Sequence, residues 1–208
     1  MYAIVTDGSI SRYVNHPRAI TIGDVQYPAK IFSVWTASEL AAIGIIAVTF
    51  DNSNKKDEQW YINTNQTFTY NASAGTVTAA YGTATAKAHA DTLWTQADSD
   101  NGDLPSDKSV GDLKDEGLKT RLIQNLKQEV SDDLSKTDWY IVRKADAGTA
   151  VPSVITTHRA AVRTKAAEME TAITNASNTP ALETLYTYTE QEDGSFTRPL
   201  GELPRLES

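Results

Sequence analysis

Three histidines, His16, His89 and His158, are the natural starting points for catalysis or metal binding, and they stand more than sixty residues apart. None has a partner at the spacing that would set two ligands on one helix face or pair a base with a nucleophile. Each is expected to be solvated or locally hydrogen bonded. The chain has no cysteine, so thiol nucleophiles, thiolate metal sites and disulfides are excluded. It has no Gly-x-Ser-x-Gly elbow and no phosphate-cradling loop, and Gly8, Gly23, Gly44 and Gly75 are isolated turn glycines. Asp98-Ser-Asp-Asn-Gly-Asp103 resembles the opening of a calcium loop. Counted from Asp98, however, the position that requires glycine is Asp103; counted from Ala97, the first ligand is alanine and the twelfth is Lys108. Asp132 with Asp133, and Glu168 with Glu170, are carboxylate pairs, but near neighbours on a helix point in different directions and do not converge on one bond. No catalytic, cofactor-binding or metal-binding residue is expected, and the chain reads as a non-enzyme with no cofactor.

The elements around these residues divide the chain. Tyr2–Thr6 and Ser9–Val14 flank Asp7-Gly8, a strong hairpin signal, and Ile20–Ile22 and Val25–Tyr27 flank Gly23-Asp24. Thr36-Ala-Ser-Glu39 fits a capping box for a short helix that Gly44 ends. Ile46, Val48 and Phe50 alternate as a strand, and Trp60–Ile62, Thr67–Tyr70 and Thr76–Tyr81 predict three more. Thr83–Ala97 is alanine-rich and reads as a helix leaving this β-rich region. Asp98–Gly111 reads as an exposed acidic linker.

Beyond it, Leu118, Leu122, Ile123, Leu126, Val130 and Leu134 recur at helical spacing, predicting an amphipathic helix from Asp112 to Ser135. Val162, Ala166, Met169 and Ile173 form a shorter 4-3-4 seam, best used against that first helix, although it also permits a dimer or trimer. Trp139–Val142 reads as an extended apolar run between the two, and the tail around Asp193-Gly194 as a terminal hairpin. The expected fold is α+β: a small antiparallel β-rich domain over 1–97, a linker over 98–111 and a helix–loop–helix module over 112–208.

Composition narrows the partners. The net charge is −8 over 208 residues. It is distributed as −1 over 1–97, −4 over 98–136 and −3 over 137–208. With no basic segment, nucleic acid is not expected as a partner. No apolar run of 18 residues occurs, and the first 21 residues lack the basic start and apolar block of a signal peptide, so no membrane association is expected.

One stretch is more specific. Leu134-Ser-Lys-Thr-Asp-Trp139, then Tyr140–Arg143, Pro152 and Arg159-Ala-Ala-Val-Arg163, resembles the tail assembly chaperone and tail-fibre assembly type of tailed bacteriophages. In that type a helix ends in Leu-x-x-Thr-Asp-Trp, a Pro-containing loop follows, and a helix with spaced arginines comes next. The opening, Met1–Val5 with Ile20–Asp24 and Tyr27–Ile31, is similar to the start of phage virion proteins. The resemblance implies a tail-associated virion component, such as a fibre or baseplate subunit, whose partners are other virion proteins and whose assembly occurs in the host cytoplasm. The alternative is an assembly chaperone absent from the mature particle. It also implies that Thr137, Asp138, Trp139, Arg159 and Arg163 carry the interaction or the corner itself. Physically, Thr137 or Asp138 can bond free backbone groups at the end of the first helix. Trp139 is expected to bury on the order of 150–250 Å² where the chain turns, so that Trp139→Ala would cost roughly 3–5 kcal/mol.

Overall fold

The computed structural model describes residues 1–206, with 36% helix and 24% strand, an α+β fold whose N-terminal part is an antiparallel-rich sheet and whose C-terminal part is helical. The chain divides into two compact units, Met1–Thr85 and Ala86–Ser208.

In the first unit, β1 (Tyr2–Thr6) and β2 (Ser9–Val14) form a hairpin. Its turn residues Asp7 and Gly8 have φ of 51° and 76°, the left-handed pair that a two-residue turn demands. A second hairpin joins β3 (Ile20–Ile22) to β4 (Val25–Tyr27). Then come α1 (Ile31–Val34) and α2 (Ala37–Ala42). The capping box at α2 is present: the Thr36 amide donates to Glu39 Oε2 at 2.7 Å, and the Glu39 amide donates to Thr36 Oγ1 at 3.3 Å. The Thr36 amide, and then the Thr36 hydroxyl at 2.9 Å, hold the Glu39 carboxyl below its ordinary pKa. The strands β5 (Ile45–Asp51), β6 (Tyr61–Ile62), β7 (Gln66–Asn71) and β8 (Thr76–Tyr81) follow.

The main sheet runs β2-β1-β5-β8-β7, antiparallel except for the β5–β8 pair. Period-2 alternation gives it two different faces. Ile4, Val14 and Ile45 point to one face and pack with Ile20, Ile31, Phe32 and Leu40 into a buried core. The other face carries the small buried residues Ala3, Val77 and Ala79. Tyr13 and Phe68, cross-strand neighbours of Ala3 and Ala79, meet there with ring centroids 4.6 Å apart. Small residues in the central strands leave room for two rings from the outer ones.

The two residues of β9 (Thr85–Ala86) fall on either side of the division, and the second unit holds β10 (Thr92–Leu93), α3 (Gln96–Asp100), β11 (Leu113–Asp115), α4 (Leu118–Ser135), α5 (Asp138–Ala147), α6 (Ser153–Asn175), α7 (Thr179–Tyr186), β12 (Thr189–Glu190) and β13 (Phe196–Thr197). The apolar stripes of α4 and α6 face each other: Leu118, Leu122 and Leu126 are buried, as are Val162, Met169 and Ile173. Each is worth about 1.5–3 kcal/mol of burial. The 4-3-4 seam is thus used within the chain, against the first long helix.

Four expectations are corrected here. The alanine-rich segment 83–97 is extended until α3, because its backbone is committed to another helix. Carbonyls of Ala88 and His89 accept from the amides of Leu118 and Lys119 at 2.9 and 3.0 Å. Asp91 accepts from the Gly117 amide at 2.7 Å and the Thr120 hydroxyl at 2.9 Å, which lowers its pKa. This segment caps α4 from outside, and a Cβ at Gly117 would collide with the Ala90 backbone. Segment 98–111 is part of the second unit rather than a linker between domains. The Trp94 amide donates to Asp112 O and the Gly111 amide to Trp94 O, both at 2.8 Å, and β10 pairs with β11. That strand also delays the first long helix to Leu118, six residues past the expected start at Asp112. Finally, Trp139–Val142 is helical, inside α5.

The terminal hairpin is present, with Gly194 at φ 78° and β12 paired to β13. Helix α7 was not anticipated, although Asn178 caps it through the Ala181 amide at 2.9 Å and Pro180 sits in its first turn.

Gly44 offers a test of the first unit. It sits at φ 81° directly against β1: the Val5 amide donates to its carbonyl at 2.8 Å, and an added Cβ would fall on the Val5 carbonyl oxygen. Gly44→Ala combines a strained φ with a backbone clash. It is expected to destabilise this unit by at least about 2 kcal/mol in urea titration, whereas Gly75→Ala, which meets nothing, should cost only the φ penalty.

Candidate functional site

The residues singled out at the Thr-Asp-Trp motif come together where α4 ends and α5 begins, with the exception of Arg163. An α-helix leaves its last carbonyls unpaired and partly negative. At the end of α4 the Leu134 carbonyl accepts the Thr137 amide at 3.1 Å and the Thr137 hydroxyl at 3.0 Å. From α6, Arg159 Nη1 donates at 2.6 Å both to that carbonyl and to Thr137 Oγ1. Its Nη2 pairs with Asp138 Oδ1 at 2.8 Å. Thr137 and Arg159 are both buried, so this cation is satisfied by a helix terminus, a hydroxyl and a carboxylate at once. Asp138 also stands in the first turn of α5, where a negative charge suits the helix dipole.

One residue earlier on α6, His158 is buried, with Nε2 2.8 Å from Asp133 Oδ2. Asp133 also takes Lys136 Nζ at 3.2 Å. Arg163, one turn further on, is exposed and only touches the Arg159 carbonyl of its own helix at 3.4 Å.

Trp139 departs from the expected burial. It is 49% exposed, stacked on Tyr140 with centroids 3.8 Å apart, and the Arg143 guanidinium lies 4.6 Å from its ring and 5.4 Å from that of Tyr140. Arg143 Nε is buried and has no hydrogen-bond partner among the described residues. Helical phase explains the outcome. Tyr140 and Arg143 are the partly buried positions of α5. Asp138, Ile141, Val142 and Ala145 follow i, i+3, i+4, i+7 spacing and therefore share the opposite side. All four are exposed, Ile141 at 44% and Val142 at 64%. The apolar stripe of α5 faces solvent, flanked by Trp139.

No family model, curated protein or solved structure matches the chain. The site therefore rests on its own geometry.

The other sequence candidates are occupied in separate ways. Asp98 closes a capping box on α3, accepting from the Thr95 amide at 2.8 Å and hydroxyl at 2.5 Å, and takes Lys114 Nζ at 2.6 Å. The same ammonium lies 4.4 Å from the Trp94 ring. Its oxygens staple the 94–115 loop together. Among the described residues no group of three or more His, Asp or Glu is arranged to hold a metal. Asp132 accepts from Gln128, while Glu170 and Glu168 pair with Lys127 and Lys165. His16 is exposed, and the His89 carbonyl serves the α4 cap. His158 borders a cleft of about 380 Å³ shared with Ser153, Thr157 and Leu206. Among the described residues no hydroxyl bonds its ring.

Two outcomes follow from this geometry. Arg159→Met strands the Leu134 carbonyl, the Thr137 hydroxyl and Asp138, and should cost about 3 kcal/mol in chemical denaturation of the second unit. Trp139→Ala gives up a stack and half a side chain, and should cost about 1 kcal/mol, well under the core-residue value expected from its size.

The Asp98 carboxyl is held well below the usual carboxylate range, first by Lys114 and then by the Thr95 hydroxyl and amide. A lowered folded-state pKa gives stability that is present above about pH 4 and lost as pH falls through the folded value. The stability gap between the wild type and Asp98→Asn should be widest near neutrality and close below about pH 4 in a pH series of urea midpoints.

Proposed function

We propose that this chain is a non-enzymatic structural component of a bacteriophage virion, a tail-associated fibre or baseplate subunit that works through contacts with other virion proteins. The observation that carries the reading is the exposed stripe of α5. An amphipathic helix held with Ile141 and Val142 outward, beside a Trp–Tyr–Arg stack, has the residue types that dominate binding energy at protein interfaces. The buried Arg159 clamp fixes the helix that presents them, so little ordering cost remains at docking. The resemblance of Leu134–Arg163 to phage tail assembly modules gives the class of partner. The acidic balance disfavours DNA inside the particle as that partner.

A chaperone acting during assembly in the host cytoplasm is the second reading. It is favoured by the same exposed stripe, since a transient binder must present its site whenever it is free.

Mass spectrometry of purified particles separates the two. Peptides of this chain at constant stoichiometry support the virion component, and their absence from mature particles supports the chaperone. In complementation, Ile141→Ser with Val142→Ser should lower incorporation at least about tenfold, equivalent to about 1.4 kcal/mol, with the melting temperature unchanged. Wild-type incorporation of that variant would remove α5 from the assembly surface.

A further inference from the structure

The helices over the first unit's sheet cover only part of it, and a cleft lies where they end. Ile45, Ala47 and Thr49 share one face of β5. Ile45 is buried in one cluster with Leu40 of α2, whereas Ala47 and Thr49 run on past it and are exposed. Between them and the α1–α2 corner the cleft has a volume of about 280 Å³. Tyr2, Phe32 and Trp35 form an aromatic wall, in which Tyr2 and Phe32 have ring centroids 4.8 Å apart. Thr49 and Thr76, the latter at the start of β8, bring hydroxyls to the same space. Among the described residues neither hydroxyl has a hydrogen-bond partner, and neither does the Trp35 indole N–H.

The chain keeps this cleft open and its wall fixed. Ala37 and Ala41 of α2 and Ala47 of β5 line it and are exposed, so a longer side chain at any of the three would occupy the space. Trp35 is 36% exposed and is held from two directions. Its amide donates to the Ile31 carbonyl at 2.9 Å, and the next residue, Thr36, caps α2. Its ring meets that of Tyr27 edge-on, with centroids 5.9 Å apart and planes at 78°. A wall fixed in advance needs little ordering when a ligand arrives. We infer that this cleft is a binding site for a small uncharged aromatic molecule, one ring or a fused pair with a single hydrogen-bonding group, as in a phenol or an indole.

The lining selects this class of ligand. Charged residues make up 22% of the protein, yet none lines the cleft. A charged ligand would lose water there and gain no counter-ion. An aromatic ring set against aromatic walls gains more than its apolar area alone provides. The two hydroxyls supply the few directed bonds that orient a ligand in a mostly apolar site. Size agrees: an apolar cavity of about 150 Å³ holds benzene, so this volume takes a ring, or a fused pair, and its substituent. A ring borne on a peptide would leave its main chain at a rim with no charged side chain to hold it, so a free molecule is the fitting occupant. The cleft requires nothing of α5, and it stands whether or not the chain enters a virion.

Titration of the isotope-labelled full chain with indole and with p-cresol, followed by two-dimensional NMR, reads the site directly. Both probes should saturably shift the Trp35 indole N–H and the amides of Thr49 and Thr76, with dissociation constants of about 0.1–1 mM. The indole N–H signals of Trp94 and Trp139 should stay in place. Ala47→Ile fills the cleft from an exposed strand position and should weaken both probes at least about tenfold, with the melting temperature unchanged. Ala41→Leu, from the helix side, should do the same. Val34→Ala, exposed but outside the cleft, should bind as the wild type does. N-acetyltryptophanamide, which carries the indole ring on a peptide unit, should bind at least about tenfold more weakly than indole itself. The proposal is overturned if neither probe shifts the cleft signals saturably up to about 5 mM, or if both filling variants bind as the wild type does. It is also overturned if N-acetyltryptophanamide binds as tightly as indole, which would make the cleft a seat for a protein side chain.

Discussion

The C-terminal unit is organised around one buried guanidinium. A cation removed from water needs its full set of acceptors, and Arg159 finds them where α4 has carbonyls to spare: Leu134 O, Thr137 Oγ1 and the Asp138 carboxylate. Because Arg159 belongs to α6, this arrangement determines at once where α4 stops, where α5 starts and how α6 lies against both. Thr137 relays the interaction, accepting from the arginine while donating to the helix end. The phase of α5 follows. With Tyr140 and Arg143 turned inward, Ile141 and Val142 have no choice but to face outward.

Helix α4 depends at both ends on residues remote in sequence, joined at its C-terminal end by the adjacent Thr137. At its start the segment 88–91 supplies two carbonyls and the Asp91 carboxylate. At its end Arg159 donates to the Leu134 carbonyl alongside the Thr137 amide and hydroxyl. Neither its N-cap, Gly117, nor its own first turn contributes a capping side chain. The leucine stripe against α6 provides the burial, and these distant groups provide the polar satisfaction that makes that burial tolerable.

What the sequence made legible was local. Asp7-Gly8, Gly23-Asp24 and Asp193-Gly194 announce turns because left-handed backbone is costly for most other residues. Thr36 and Glu39 announce a helix start because both halves of the box lie within four residues. The leucine and isoleucine stripes were readable from their period. Segment 83–97 was misread because alanine content favours helix only when the backbone is free to make it; here its carbonyls and Asp91 are engaged by α4. The acidic run from Asp98 looked like a linker because nothing in its composition reveals that Lys114 returns to Asp98 and Trp94. Helix α7 did carry a signal, Asn178 followed by Pro180, that alternation of tyrosines obscured. At the corner, the resemblance drew Thr137, Asp138 and Arg159 into one group, and the structure joins them. Arg163 is left out because it lies one turn beyond the reach of the α4 terminus. Trp139 was misplaced because size argues for burial, whereas helical phase, set by its neighbours, decides it.

The borrowed caps of α4 have a consequence for how this chain can be divided. A piece cut between Asp91 and Leu118, or between Ser135 and Arg159, leaves the helix with dangling polar groups at one end and a leucine stripe that no longer has a fixed partner. The Thr-Asp-Trp corner is therefore not a portable peptide. The shortest fragment able to carry it must begin upstream of Ala88, far from the motif itself, and must run through α6.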